Sequence, residues 1–207
     1  MKTIMAENMP KLESPFVRKM IDGSFVVTPQ ITEGYEWVFE DNNVIAVEKL
    51  HGTNVSIIIQ EGAVTSLWNR TERIPFINKG KDWVTRGILN SKKRGYCELP
   101  DGQWFGELIG PRVNGNPYNL DDWLWIPFET YCKKKLSYRS WGKYPKTYEA
   151  ISEWFKDLMP LYCMLIQGKS PAEVKDPFCE GIVFTHPNGN MAKLRCDMFD
   201  WYEGKRH

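Results

Sequence analysis

Val47-Glu48-Lys49-Leu50-His51-Gly52-Thr53-Asn54 sets a lysine, a histidine, a glycine and an asparagine in one short turn between two β-rich stretches, residues 44–47 and 55–59. The β-branched run Ile57-Ile58-Ile59 predicts burial on both faces of the second stretch. Gln60-Glu61-Gly62 reads as a hairpin turn into a third strand over residues 63–68. Further along, residues 82–93 carry helical character stopped by Gly95, and residues 103–109 and 123–131 read as strands. Tyr148, Ile151, Trp154, Phe155 and Leu158 share one helical face, which Pro160 ends. Ser170-Pro171-Ala172-Glu173 is a capping-box signal with proline at the first helical position. Residues 182–184 and 191–194 are the last two strands, joined through Pro187-Asn188-Gly189-Asn190. The sum predicts an α+β fold of antiparallel sheets with a few covering helices.

At 207 residues the chain is long enough for one well-cored domain over 1–207, and no repeat or Gly/Ser-rich linker divides it. A hydrophobic share of 42% suits a folded globule. The net charge of +1 gives no global attraction to nucleic acid or membrane, so any polyanion site must come from local clustering. Five cysteines, an odd number with no CxxC pair and no histidine at zinc-ligand spacing, read as reduced thiols. The opening Met-Lys-Thr-Ile-Met-Ala-Glu-Asn has no signal-like apolar run, and no span reaches membrane length. The expectation is a soluble, cytoplasmic protein with no membrane partner.

The lysine turn holds the parts that covalent capture of a nucleotide needs: an amine, and a glycine that lets the backbone approach a phosphate. An amine nucleophile needs its proton removed more easily than usual, by neighbouring positive charge or desolvation. Lys193 and Arg195 alternate on one strand, so both project from one face and can supply that charge. Taken alone, Lys49 reads more readily as a solvated residue at a strand end. Glu107, inside the otherwise apolar Trp104-Phe105-Gly106-Glu107-Leu108-Ile109-Gly110, is either an acceptor for a ribose hydroxyl or a solvent-facing strand residue. Glu180, before Gly181-Ile182-Val183, is either an anchor for a hydrated metal ion or an edge carboxylate. His51 either positions a phosphate or completes the turn.

These ordered segments resemble the covalent nucleotidyltransferase superfamily of ATP-dependent polynucleotide ligases and capping enzymes, most of all the nick-sealing RNA ligases of the RNA ligase 2 family. Glu48 to Gly52 match motif I, Glu-Lys-x-His-Gly, with Asn54 following. Asn69-Arg70-Thr71 resembles motif Ia, whose arginine contacts phosphate or the RNA 3′ end. Phe105 to Pro111 resembles motif III, whose glutamate, here Glu107, holds the ribose. Ile126-Pro127-Phe128-Glu129 resembles motif IIIa, which implies that Phe128 stacks on adenine. Glu180 to Val183 resembles motif IV, and Lys193-Leu194-Arg195 resembles motif V, with arginine where the family usually has a second lysine.

The resemblance implies an antiparallel-sheet nucleotidyltransferase domain of the ATP-grasp-like ligase adenylation type. It implies ATP and Mg²⁺ or Mn²⁺ as cofactors, Lys49 as the nucleophile, and Glu180 as the metal residue. Glu48, His51, Gly52, Asn54, Arg70, Glu107, Phe128, Lys193 and Arg195 would bind the nucleotide. RNA with a 3′-hydroxyl and a 5′-phosphate would be joined through lysyl-AMP and an adenylated RNA 5′ end. No OB-fold or helical C-terminal domain is expected after motif V, so residues 1–43, local basic clusters or a protein partner would take over its function. The stretch 131–144 interleaves Lys133, Lys134, Lys135 and Arg139 with Trp141 and tyrosines, which suits exposed strands and ends. Lys79, Lys81, Arg86, Lys92, Lys93 and Arg94 form a second basic region. A DNA ligase, a capping-type guanylyltransferase or a non-catalytic nucleotide- or RNA-binding module is the alternative.

Overall fold

A computed structural model of the protein describes residues 6–70, 72–77, 82–174 and 178–206. The strands, in chain order, are β1 (Phe16–Ile21), β2 (Ser24–Ile31), β3 (Ile45–Glu48), β4 (Thr53–Gln60), β5 (Ala63–Asn69), β6 (Glu72–Ile74), β7 (Gly102–Ile109), β8 (Leu124–Pro127), β9 (Gly181–Thr185) and β10 (Met191–Arg195). The helices are α1 (Trp37–Glu40), α2 (Trp83–Lys93), α3 (Lys133–Lys135) and α4 (Tyr148–Lys156). The architecture is α+β, and its sheets are antiparallel. The chain divides into two compact units, one of residues up to Pro10 with His51–Lys135, the other of Lys11–Leu50 with residues from Leu136 on.

The first unit is built on a five-stranded sheet in the order β6-β5-β4-β7-β8. Ile57, Ile58 and Ile59 are all buried, as their β-branched run predicts. Val55, Ile57, Leu108 and Trp125 form one apolar cluster with Val84 and Ile88 of α2. Gly87 lets that helix come close, since a Cβ there would lie 2.3 Å from the Leu108 side chain. Ser91 Oγ accepts the Trp125 N–H at 2.9 Å and donates to the Gly87 carbonyl at 2.9 Å, which satisfies a polar group inside this contact. Period-two alternation then sends Asn54, Ser56, Phe105 and Glu107 to the opposite face from α2.

The second unit contains the β1–β2 hairpin and a three-stranded sheet in the order β10-β9-β3. Asp22 and Gly23 both have positive φ, +47° and +80°, and make the two-residue turn whose twist matches paired strands. Ala46, Ile182, Phe184, Ala192 and Leu194 bury one face of the sheet against a core that includes Ile151 and Phe155 of α4. Thr147 Oγ1 accepts the Ala150 N–H at 3.3 Å and caps that helix.

Most elements lie within a residue or two of the sequence expectation. The strand expected over 123–131 is a correction: β8 ends at Pro127, and a π-helical turn, Phe128–Cys132, leads into α3. Proline has no N–H to continue the ladder, so pairing stops there. The capping-box segment makes a single 3-10 turn, Pro171–Glu173, with the Ser170 N–H on Glu173 Oε2 at 2.8 Å. No disulfide joins the cysteines. Among the described residues no helix is long and apolar enough to cross a membrane.

Candidate functional site

In the second unit the strand register places the candidate cations. Val47 and Lys193 both pair with Val183, while Glu48 and Leu194 both pair with Ile182. One step on, Arg195 pairs with Gly181, and the Lys49 N–H donates to the Gly181 carbonyl at 2.9 Å. Lys49 and Arg195 therefore flank a residue with no side chain. That glycine is obligatory: its φ is +148°, and a Cβ would lie 2.2 Å from the Leu194 carbonyl oxygen.

Lys49 Nζ lies 2.7 Å from Glu180 Oε1, with both side chains largely covered. Arg195 Nε lies 2.9 Å from Asp197 Oδ1, an ion pair in which both side chains are largely covered. Lys193 is held below the ordinary lysine range by burial and then by the charges of Arg195 and Lys49. Lys49, Glu180, Lys193 and Arg195 are thus brought together.

Glu48 is not brought to these cations. Alternation turns it to the other face, where it is 3% exposed and Oε2 accepts the Tyr162 N–H at 2.7 Å. Desolvation raises its carboxyl to about 8, against the opposing effect of the Tyr162 and Leu161 amides. Tyr138, Cys163 and Cys179 are also pushed up, chiefly by burial, and each feels the charge of Glu48. Cys196, beside Glu180 and Asp197, is pushed up to about 12, again mainly by burial. These thiols are structural, since a thiol needs a lowered pKa to react.

In the first unit the turn after Leu50 is held by hydrogen bonds. The His51 N–H donates to Tyr118 Oη at 2.8 Å, the Gly52 N–H donates to Glu107 Oε1 at 3.0 Å, and Asn114 Nδ2 donates to the Gly52 carbonyl at 2.6 Å. Gly52 is required by space, because a Cβ would meet the Leu108 carbonyl oxygen at 2.3 Å. Asn54 and Glu107 are cross-strand partners on one face, and Asn54 Nδ2 contacts Met9 Sδ at 3.1 Å. Phe128 is half-buried at the start of the π-helical turn. Arg70 is exposed, with φ +50°, between β5 and β6.

The basic, aromatic stretch 131–144 is divided between the two units. Lys135 ends one unit and Leu136, which is fully buried, returns the chain to the other. Lys133 pairs with Glu129 on the same turn, whereas Lys134 and Lys135 are exposed. Arg139 is exposed, but Tyr138 is in the core and Trp141 packs on Phe184 and Trp154 at 4.7 and 5.5 Å. Of the rings in this stretch, Tyr138 is a core residue and Trp141 packs against the core, whereas Tyr144 is exposed. In the second basic region Arg86 pairs with Asp122 at 3.1 Å and sits over Trp123, while Lys92, Lys93 and Arg94 are exposed at the end of α2. Thr71, Lys79 and Lys81 lie outside the described residues.

Tyr118, Asn114 and Asp197 hold site residues and were not singled out from sequence. The Asn- and Gly-rich stretch 110–119, with positive φ at Arg112, Asn114 and Asn116, carries a loop signal and nothing that points to its partners. Among the described residues no cluster of three or more His, Cys, Asp or Glu side chains is built to hold a metal ion. A single carboxylate such as Glu180 suits a hydrated Mg²⁺, which keeps several waters and is completed by substrate phosphates.

A family model described as RNA ligase matches residues 42–197. No curated protein matches the chain. Among solved structures, an apo Naegleria gruberi RNA ligase variant is similar at 14% identity and TM-score 0.45, covering 93% of this chain and 58% of that one. Another variant, with ATP and Mn, is similar at 14% identity and TM-score 0.46, over 91% and 60%. A third, with AMP and Mn, is similar at 15% identity and TM-score 0.45, over 94% and 59%. The chain therefore spans about three fifths of the length of those ligases.

Proposed function

The chain belongs to the RNA ligase family, and from that premise we propose that it is an ATP-dependent RNA ligase acting through a lysyl-AMP intermediate on Lys49. The observation that carries this reading is the Lys49–Glu180 pair at 2.7 Å on a sheet face shared with Lys193 and Arg195. That face offers an amine, a carboxylate and two further cations around a glycine that leaves room for a phosphate.

In the first step the Lys49 nitrogen attacks the α-phosphorus of ATP. An N–P bond forms, the Pα–O–Pβ bond breaks, pyrophosphate leaves with the bonding pair, and the protons that the nitrogen gives up pass to water. AMP then passes to an RNA 5′-phosphate, and a 3′-hydroxyl displaces AMP to close the phosphodiester. Glu180 holds the Lys49 nitrogen at 2.7 Å, so this pair must open before the nitrogen can reach a phosphorus. Mg²⁺ or Mn²⁺ bound at Glu180 would supply charge neutralisation at the α-phosphate. Lys193 and Arg195 neutralise phosphate charge from fixed strand positions, which is where phosphoryl transfer gains most of its rate.

Residues of the first unit take the roles that the motifs suggest. Glu107 would accept a ribose hydroxyl, and Phe128 would stack on adenine. The glycine at position 52 admits the nucleotide backbone, with His51, Asn54 and Arg70 on phosphate or the RNA 3′ end. Glu48 acts at a distance, by holding the Tyr162 amide against the strand that leads into Lys49.

The test is incubation with α-labelled ATP or GTP and a divalent metal, followed by a denaturing gel. Label retained from ATP and lost in Lys49→Ala supports the reading. Label from GTP instead would favour a capping-type enzyme, and no covalent label under any metal would favour a binding module. Nicked duplexes and single strands with a 5′-phosphate then separate RNA from DNA as the substrate.

A further inference from the structure

The cation-bearing sheet has a neighbour that no motif contains. Residues Lys11-Leu12-Glu13-Ser14 run between Pro10 and Pro15, and a proline biases the residue before it toward an extended backbone. The segment is tied down at its far end: the Thr32 N–H donates to the Pro15 carbonyl at 2.9 Å. Phe16 packs on Phe39 and Tyr148 with ring centroids 4.9 and 5.3 Å apart. It meets the edge of β10 left open by β9 at Lys193, whose N–H donates to the Glu13 carbonyl at 2.9 Å.

That hydrogen bond sets Glu13 beside Lys193, and Lys11 Nζ reaches Glu13 Oε1 at 3.1 Å. Lys11 is 83% exposed, so its ammonium is free to exchange one partner for another. The charges of Lys11, Glu13, Lys49 and Arg195 all act on Lys193, which puts these groups in one electrostatic neighbourhood. Lys49, Arg195 and Lys11 each have a carboxylate partner, whereas Lys193 has none among the described residues. One positive charge is therefore left for an anion to match.

Position along the strands says which part of the anion. Lys49 and Arg195 lie in the cross-strand row through Gly181, and Lys193 and Glu13 lie in the row through Val183. Two residues of strand separate these rows by about 7 Å. With an α-phosphate at Lys49, the second row is within reach of the β- and γ-phosphates. The geometry points to Lys11 as an additional substrate-contacting residue, which leaves Glu13 when ATP binds and, with Lys193, holds the β- and γ-phosphates as pyrophosphate departs.

This inference rests on the ligase reading. When the Lys49 N–P bond forms and the Pα–O–Pβ bond breaks, the departing pyrophosphate keeps the bonding pair. Lys11 stays an ammonium throughout and only neutralises that charge. The residue should therefore matter to one step and not to the later ones, since pyrophosphate is absent once AMP is attached.

The experiment compares two reactions of the full chain. One is lysyl-AMP formation from ATP, read as label on the protein; the other is sealing of an RNA whose 5′ end is already adenylated. For Lys11→Ala, kcat/KM for lysyl-AMP formation is expected to fall roughly tenfold, with sealing of the adenylated RNA within about twofold of wild type. Lys11→Arg should restore most of the first reaction. Equal loss in both reactions, or no loss in the first, overturns the proposal while leaving the ligase reading intact. A wild-type chain that takes no label and seals no adenylated RNA overturns the ligase reading itself.

Discussion

The two faces of the β3-β9-β10 sheet are built from alternating residues of the same strands, yet they solve opposite problems. On one face Glu48 lies with Ile182, Phe184 and Leu194, each fully or almost fully buried. There a carboxyl holds its proton up to about pH 8 and thiols and a phenol stay neutral. On the other, Lys49 and Arg195 are set against Glu180 and Asp197, with Lys193 beside them. Adjacent residues in one motif thus face different surroundings: Glu48 fixes the strand, and Lys49 is the residue proposed to perform chemistry. What separates them is the period-two pleat, with no change in sequence neighbourhood.

The largest expected effect comes from forcing a side chain onto the charged face. Gly181→Ala would put a Cβ 2.2 Å from the Leu194 carbonyl oxygen and 2.6 Å from Arg195 Cα, at a φ of +148°. A loss of about 3 kcal/mol or more is expected from this backbone clash and strain together, read as a shift in urea midpoint. Lysyl-AMP formation should be lost as well, because the added methyl lies between Lys49 and Arg195. A Gly181→Ala protein as stable and as active as wild type would show that the row through this glycine is not where the phosphate sits.

The next effect belongs to the dry face and is a pH dependence. Below about pH 4.5 both folded and unfolded chains hold the Glu48 proton, and the stability linked to it is fully present. Between that value and about 8 the unfolded chain loses the proton while the folded chain keeps it. Stability therefore falls as pH rises through this window, by up to about 1.4 kcal/mol per pH unit, and levels off once the folded chain also ionises. Glu48→Gln, a neutral side chain of the same shape, should flatten that slope in urea denaturation measured from about pH 5 to about pH 8. If wild type and Glu48→Gln fall in parallel, the carboxyl is charged in the folded state and the contrast between the faces is smaller than drawn.

Much of this contrast was legible in the residues themselves. Lys193 and Arg195 two apart on a strand announce a shared face, and Ile57-Ile58-Ile59 announces burial on both sides. The same alternation would have put Glu48 opposite Lys49 had the strand been carried one residue further, to the observed end of β3. Other features depend on partners far away in the chain. The Glu13 carbonyl meets the Lys193 amide across 180 positions, and Tyr118 meets the His51 amide across 67. No local pattern encodes such pairings. The stretch 131–144 differs for a third reason: cations and rings alternate along the chain, but Leu136 and Tyr138 are needed by a core, which takes Tyr138 from the surface and leaves Tyr144 exposed. Asp22-Gly23 is different again, a hairpin signal that the dipeptide itself carries.

The smallest expected effect sharpens the comparison by asking what the charged face contributes to folding. The Lys11–Glu13 pair is 83% and 56% exposed, and exposed pairs of this kind are worth less than about 0.5 kcal/mol. The segment is held instead by backbone hydrogen bonds and by Phe16 in the core, none of which Lys11→Ala touches. The urea midpoint of Lys11→Ala should therefore match wild type, with the same slope against pH. A residue that costs no stability when removed and still slows one chemical step is retained for the ligand. If Lys11→Ala unfolds measurably earlier than wild type, the segment is a structural edge strand, and any fall in lysyl-AMP formation would follow from a loosened β10 in place of a lost phosphate contact.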